Sequence, residues 1–163
     1  MRFAPIALIS ASLACGAFAR MGETLEQCEA RYGSPEKIEP PNPEFMQPDA
    51  VYVFSKDGVR IRVSFLGGVA QCITYSRPDS SDPQDYAKAS DLSRSQVEEI
   101  VARNVGEGNF SLTEDGSTLS GSSNDKNVTI RYAHKTLILK TEAYLERELA
   151  ASREAEQKQV EGL

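Results

Sequence analysis

Tryptophan is absent and histidine occurs once, at His134. One imidazole cannot build a three-histidine zinc site or a pair of histidines around a glutamate. Any Ser-His-Asp triad would have to run through that single residue. His134 lies between Ala133 and Lys135 in a predicted hairpin turn, with no nucleophile motif beside it. Basic residues are also in deficit, 18 against 24 acidic, for a net charge of −6. An acidic chain repels phosphate backbones and anionic bilayers, so neither nucleic acid nor a lipid surface is an expected partner. No apolar run reaches the roughly 20 residues that a transmembrane helix needs. Phosphate-binding glycine loops are missing as well, since Gly67-Gly68 is placed as a hairpin turn. Ser123-Asn124-Asp125-Lys126 has Ser-x-x-Lys spacing but sits in a predicted turn rather than at a helix start. Asn109-Phe110-Ser111 and Asn127-Val128-Thr129 fit the glycosylation pattern, which matters only in a host that glycosylates. The carboxylates do not pair into an evident cleft, and Glu23, Glu26 and Glu29 are accounted for by the start of a helix. No catalytic residue, cofactor site or metal site is expected.

The N-terminus reads as a leader. Arg2 is a basic start, Ala4 to Cys15 is a short apolar run, and Ala17-Phe18-Ala19 is a small-x-small cleavage site. Export with cleavage after Ala19 is expected, giving a periplasmic or secreted chain that begins at Arg20. Loss of Arg2 takes the charge from 18 − 24 to 17 − 24, or −7. Lipidation at Cys15 is the rival, although Ser12 stands where a lipoprotein signal carries a branched aliphatic residue.

Residues 20–77 form the first predicted unit. Thr24 with Gln27 is a capping box, Leu25, Cys28 and Tyr32 share a helical face, and Gly33 and Pro35 stop the helix. Pro40, Pro41, Pro43 and Pro48 predict an irregular loop over 36–49, in which Phe45 and Met46 either anchor the loop to the core or form a contact point. Val51 to Phe54, Val59 to Phe65 and Val69 to Ser76 are strands joined by turns at Asp57-Gly58 and Gly67-Gly68. Val59, Ile61, Val63 and Phe65 share one face, with Arg60 and Arg62 on the other. Arg60 and Arg62, with Tyr52 and Phe54, make the candidate contact patch. For the two arginines, the alternative is a solvated strand face that discourages edge pairing. Cys28 and Cys72 either form the one disulfide an exported chain could make or pack as two small apolar residues, and strand parity turns Cys72 away from the helix.

Residues 78–91 read as a polar linker, and the plan then repeats over 92–140. Ser93 with Gln96 is a second capping box, Leu92 and Val97 are placed as a hydrophobic staple, and Gly106 is a stop. Val97, Ile100, Val101 and Asn104 line one helical face. Weaker strand signals follow at Asn109 to Leu112, Ser117 to Ser122 (strand or loop), Val128 to Ala133 and Thr136 to Lys140. Residues 141–163 read as a C-terminal helix and tail: from Glu142 the period is helical, Tyr144, Leu145 and Leu149 make a stripe that packs back on the sheet or docks a partner helix, and beyond Ala151 the charged tail is expected to be solvated and frayed at its far end.

The sequence Gly22-x-Thr24, a short amphipathic helix, Gly33-x-Pro35 and then Val63-Ser64-Phe65-Leu66-Gly67-Gly68-Val69-Ala70 resembles the SmpA/OmlA outer-membrane assembly lipoproteins. Those are similar in layout to the β-lactamase inhibitor protein, which resembles two such units in tandem. The stretch from Gly22 to Gly33 also resembles the opening of short secreted bacterial proteins of unknown function, which implies no activity. No binding residue of either family carries over, since Cys15 lacks the lipoprotein context and tryptophan is absent. The resemblance implies an α+β fold of two helix-plus-antiparallel-meander units with a C-terminal charged helix.

Three functions follow as candidates. The leading one is an exported, non-catalytic module that binds another envelope or secreted protein. The second is an inhibitor-like protein using exposed aromatics, Tyr52, Phe54 or Tyr75, on one sheet face. The third is a hydrolase, which requires His134 buried beside a carboxylate and a hydroxyl.

Overall fold

Two helices open the two halves of the chain in the same way. In the computed structural model, which describes residues 20–42, 49–77, 91–123 and 127–161, the Thr24 hydroxyl accepts from the Gln27 N–H at 3.3 Å. The Gln27 side chain in turn accepts from the Thr24 N–H at 2.8 Å. Ser93 and Gln96 repeat this reciprocal pair at 3.3 and 2.9 Å. Each box satisfies amide groups that the first helical turn leaves without partners. Helix α1 (Leu25–Tyr32) ends at Gly33, and α2 (Arg94–Val105) ends at Gly106. Both glycines have positive φ, 86° and 96°, and each N–H closes back onto its helix. The leader, its cleavage site, Cys15, Phe45, Met46, most of the linker and the turn at Asn124 to Lys126 lie outside the described residues.

The strands are β1 (Lys37–Glu39), β2 (Val51–Lys56), β3 (Val59–Leu66), β4 (Val69–Ser76), β5 (Phe110–Asp115), β6 (Thr118–Ser123), β7 (Val128–Ala133) and β8 (Thr136–Thr141). They form one antiparallel sheet in the order β1-β2-β3-β4-β8-β7-β6-β5. The fold is therefore α+β, with three helices, an eight-stranded sheet and a C-terminal helix. The strands of the two expected units are joined into this one sheet by the β4–β8 ladder, where Cys72 to Ser76 pairs with Thr136 to Lys140. Each meander would otherwise leave an unpaired apolar edge, and joining the last strand of each removes both edges at once.

The loop expected over 36–49 contains β1, paired through Ile38 opposite Tyr52. Residues 37 to 39 precede the first proline and keep their N–H groups, and an edge strand needs only one side of its ladder. The N-terminal segment is fastened to β4 by two backbone bonds, Gly22 N–H to Ala70 O at 2.8 Å and Ala70 N–H to Glu23 O at 2.7 Å.

Helices α1 and α2 cover one face. Cys28, Val97, Ile100, Val101 and Val105 pack with Phe54, Ile61, Val63, Ile73, Tyr75, Ile130, Leu137 and Leu139. Each such side chain, fully buried, contributes roughly 1.5–3 kcal/mol, which fixes the rotation of α2 far more firmly than its modest helix propensity could. Within this layer Asn104 is buried: its Nδ2 donates to the Tyr75 hydroxyl at 3.0 Å and to the Ile100 carbonyl at 2.8 Å. The Tyr132 hydroxyl accepts from the Leu92 N–H at 2.9 Å, holding the entry of α2. Helix α3 (Glu142–Glu161) starts directly after β8, with the Tyr144 N–H on the Thr141 hydroxyl at 3.2 Å, and stays helical through the tail expected to be frayed.

Candidate functional site

Helix α3 places Tyr144 on the sheet face opposite α1 and α2. That face carries the alternate residues of every strand, so the register lists its rows directly. Ser64, Cys72 and Lys140 lie side by side in one row. Arg62, Thr74, Ile138 and Arg131 form the next. Arg60, Ser76, Thr136 and Ala133 form a third. Over the first two rows, beside α3, lies an open groove of about 500 Å³. Thr74, Thr136 and Ile138 are among its lining residues, with Arg62, Arg131, Lys140, Tyr144 and Glu148 around them.

Three attachments hold α3 as the wall of this groove. Tyr144 is almost fully buried against the sheet, with its hydroxyl beside Ser64. Lys140 Nζ donates to both Glu148 oxygens at 2.8 and 2.7 Å. The Arg147 guanidinium holds Asp49 through two bonds of 3.1 Å. Arg62 is ion-paired with Glu39 of β1, and its buried Nε has no hydrogen-bond partner. Arg131 is exposed and, among the described residues, makes no ion pair. Burial pushes the Cys72 thiol up to about 12, against the opposing pull of Lys140, so it stays protonated at neutral pH and is a poor nucleophile. Desolvation raises the Tyr144 phenol in the same way.

The residues singled out from the sequence divide between the two faces. Arg60 and Arg62 lie on the groove face, as parity required, but Arg60 is 9% exposed and Arg62 is engaged by Glu39. Phe54 is buried under α1, 5.5 Å from the Tyr32 ring, and Tyr52 packs edge-on against Phe65 on that same helix-covered side. The four therefore do not form one surface. Cys28 and Cys72 are both free thiols, and no disulfide joins them. Cys28 belongs to the helix-covered core and Cys72 to the groove floor, so the sheet itself separates them. His134 is exposed in the β7–β8 turn with a φ of 49°, at the mouth of the groove rather than in a buried hydroxyl-carboxylate constellation. Among the described residues there is no cluster of three metal-ligating side chains, and no helix is long and apolar enough to cross a membrane.

Sequence reasoning missed Thr74, Ile138, Arg131, Tyr144 and Glu148. The alternation of Val128, Ile130 and Tyr132 does signal that Arg131 faces the other way. Nothing local signals that it shares a row with Arg62.

No family model matches the sequence, and no curated protein matches it. Among solved structures, the chain is similar to an extracellular protein containing an SCP domain from Bacillus anthracis, at 13% identity and a TM-score of 0.36, over 78% of this chain and 46% of that one. It is also similar to a cysteine-rich secretory protein from Staphylococcus aureus, at 11% identity and a TM-score of 0.40, over 77% of this chain and 46% of that one. The chain thus spans about half the length of these proteins. The expected resemblance to the assembly lipoproteins and the inhibitor protein is corrected by these findings. The motifs behind it were caps, stops and a glycine hairpin, which any capped helix followed by a meander needs.

Proposed function

We propose that this chain is an exported, non-catalytic module that binds another protein through the open face of its sheet. The observation that carries the reading is the groove between that face and α3, lined by side chains from five adjacent strands. The opposite face is occupied by α1 and α2 and offers little surface. Export rests on the Arg2, Ala4-to-Cys15 and Ala17-Phe18-Ala19 pattern, with acylation of Cys15 as the rival form. The helix-plus-four-strand order, repeated once, favours two units of common plan at 20–77 and 92–140 that meet at β4 and β8.

The inhibitor-like alternative needed exposed aromatics, Tyr52, Phe54 or Tyr75, clustered on one face, whereas Phe54 and Tyr75 are buried under the helices and leave Tyr52 without a cluster. The hydrolase alternative needed a buried His134, and His134 is exposed.

A photo-reactive residue placed at Thr136 tests the reading in the native host. One discrete cross-linked partner is expected from Thr136 and none from a control site at Ser117, which is exposed in the β5–β6 turn. No adduct at Thr136, or the same adducts from both sites, would reject open-face binding. Mass spectrometry of the purified chain tests export: an N-terminus at Arg20 is expected, and a diacylglyceryl mass on Cys15 would replace it with the lipoprotein form.

A further inference from the structure

We infer that the groove recognises an extended acidic segment, whose carboxylates bond Arg131 and Arg62 while its backbone runs across the strands. This deepens the open-face reading and rests on it. The chain as a whole is acidic, at −6, yet Arg62, Arg131 and Lys140 line the groove against the single carboxylate of Glu148. With Glu39, which pairs with Arg62, counted as well, these groups still leave one net positive charge at the groove of an acidic molecule. Glu148 is committed to Lys140, and Glu39, from the edge strand, to one side of Arg62. Two sets of donors remain: the guanidinium of Arg131, without an ion pair among the described residues, and the part of the Arg62 guanidinium that Glu39 does not take, that side chain being about 25% exposed. A guanidinium presents a planar fork of donors that a carboxylate fills with two bonds.

Spacing identifies the ligand further. Arg62 and Arg131 are three strand positions apart in one row. At about 4.8 Å between strands, their backbones are about 14 Å apart. An extended peptide advances about 3.4 Å per residue and points alternate side chains the same way, so residues i and i+4 are also about 14 Å apart on one face. Between the arginines, Thr74 and Ile138 give the residue at i+2 a hydroxyl and an apolar contact. A free carboxylate would reach only one guanidinium and leave most of the 500 Å³ unfilled.

The test titrates the purified protein with a fluorescein-labelled, end-capped peptide carrying Gly-Ser flanks around Glu-Val-Thr-Val-Glu. Parallel titrations use the same peptide with both Glu replaced by Gln, a version with the two Glu only two positions apart, and glutarate. The i, i+4 peptide is expected to bind at least tenfold more tightly than the other three, with affinity falling as salt rises. Arg131→Gln should reduce it to the level of the Gln peptide, and Arg131→Lys should retain part of the difference. Arg131 is exposed, so an unchanged thermal melt and amide spectrum certify the fold of both variants. Equal binding of the Glu and Gln peptides, no binding of the Glu peptide at millimolar concentration, glutarate binding as tightly as the peptide, or an unaffected Arg131→Gln would each overturn the inference. If the Gln peptide still perturbs the Thr74 and Ile138 amides, the acidic-segment inference falls while open-face binding stands. If neither peptide perturbs them and Thr136 yields no cross-link, both fall.

Discussion

Arg62 and Arg131 stand in a single cross-strand row with Thr74 and Ile138 between them, one arginine on β3 and the other on β7. They occupy matching places on either side of the β4–β8 seam, yet their surroundings differ. Arg62 is about a quarter exposed and bonded to Glu39, which ties the three-residue edge strand β1 to the face of β3. Arg131 is exposed, without an ion pair among the described residues. Arg62→Gln is therefore expected to cost about 1 kcal/mol, the upper range for a partly exposed pair. Arg131→Gln should fall within about 0.5 kcal/mol of the parent. Urea unfolding of both variants checks this, and equal losses would show that the Glu39 pair contributes nothing to stability.

The two thiols predict a specific alkaline weakness. Burial pushes both Cys28 and Cys72 from 9.0 up to about 12. The folded state thus keeps these protons at pH values where the unfolded chain releases them, so it binds more protons and stability falls as pH rises. The contribution is fully present below pH 9 and is lost between about 9 and 12, at up to about 1.4 kcal/mol per pH unit for each thiol. Tyr32, Tyr75 and Tyr144 are raised by the same desolvation and steepen the loss. Denaturant unfolding at a series of pH values should show a plateau to about pH 8.5 and then a decline that is shallower in Cys72→Ala. Native Cys72 should also resist iodoacetamide at pH 8. Alkylation at the rate of a free thiol, or stability unchanged to pH 11, would refute this reading.

Gly121 of β6 faces the backbone of β5 where a side chain would stand. A Cβ built there would lie 1.8 Å from the Ser111 carbonyl oxygen of the paired strand. The obstacle is backbone and cannot rotate aside, so Gly121→Ala must push the edge strand β5 away. A loss of about 1–3 kcal/mol is expected, in the range for overpacked sites. Amide exchange should accelerate in β5 before it does in β4 or β8. A variant as stable as the parent, with β5 protection intact, would contradict the predicted clash.

Much of the local structure was legible because its causes lie within four or five residues. Thr24 with Gln27, Ser93 with Gln96, and the stops at Gly33 and Gly106 all appear where the sequence puts them, because capping is a contact between near neighbours. The alternation of Val59, Ile61 and Val63 against Arg60 and Arg62 likewise survives in β3. The three residues of β1 were hidden by the prolines that follow them, since an edge strand is set by its partner rather than by its own propensity. Asn104 could be placed on the buried face of α2, but its hydrogen bonds with Tyr75 join residues 29 apart.

Sequence alone determined the two capped helices with their ends, the start of the third, most of the strands and which residues of a strand face together. Only the tertiary structure decided that β4 pairs with β8, that the helices cover the face bearing Phe54 and Tyr75, and that Arg62, Arg131 and α3 border one groove. Caps, turns and parity are fixed by short-range sterics and hydrogen bonding. Parity, however, defines two faces without saying which a helix will bury, and strand edges are chemically alike. Those choices are settled by the collective burial of side chains far apart in the chain.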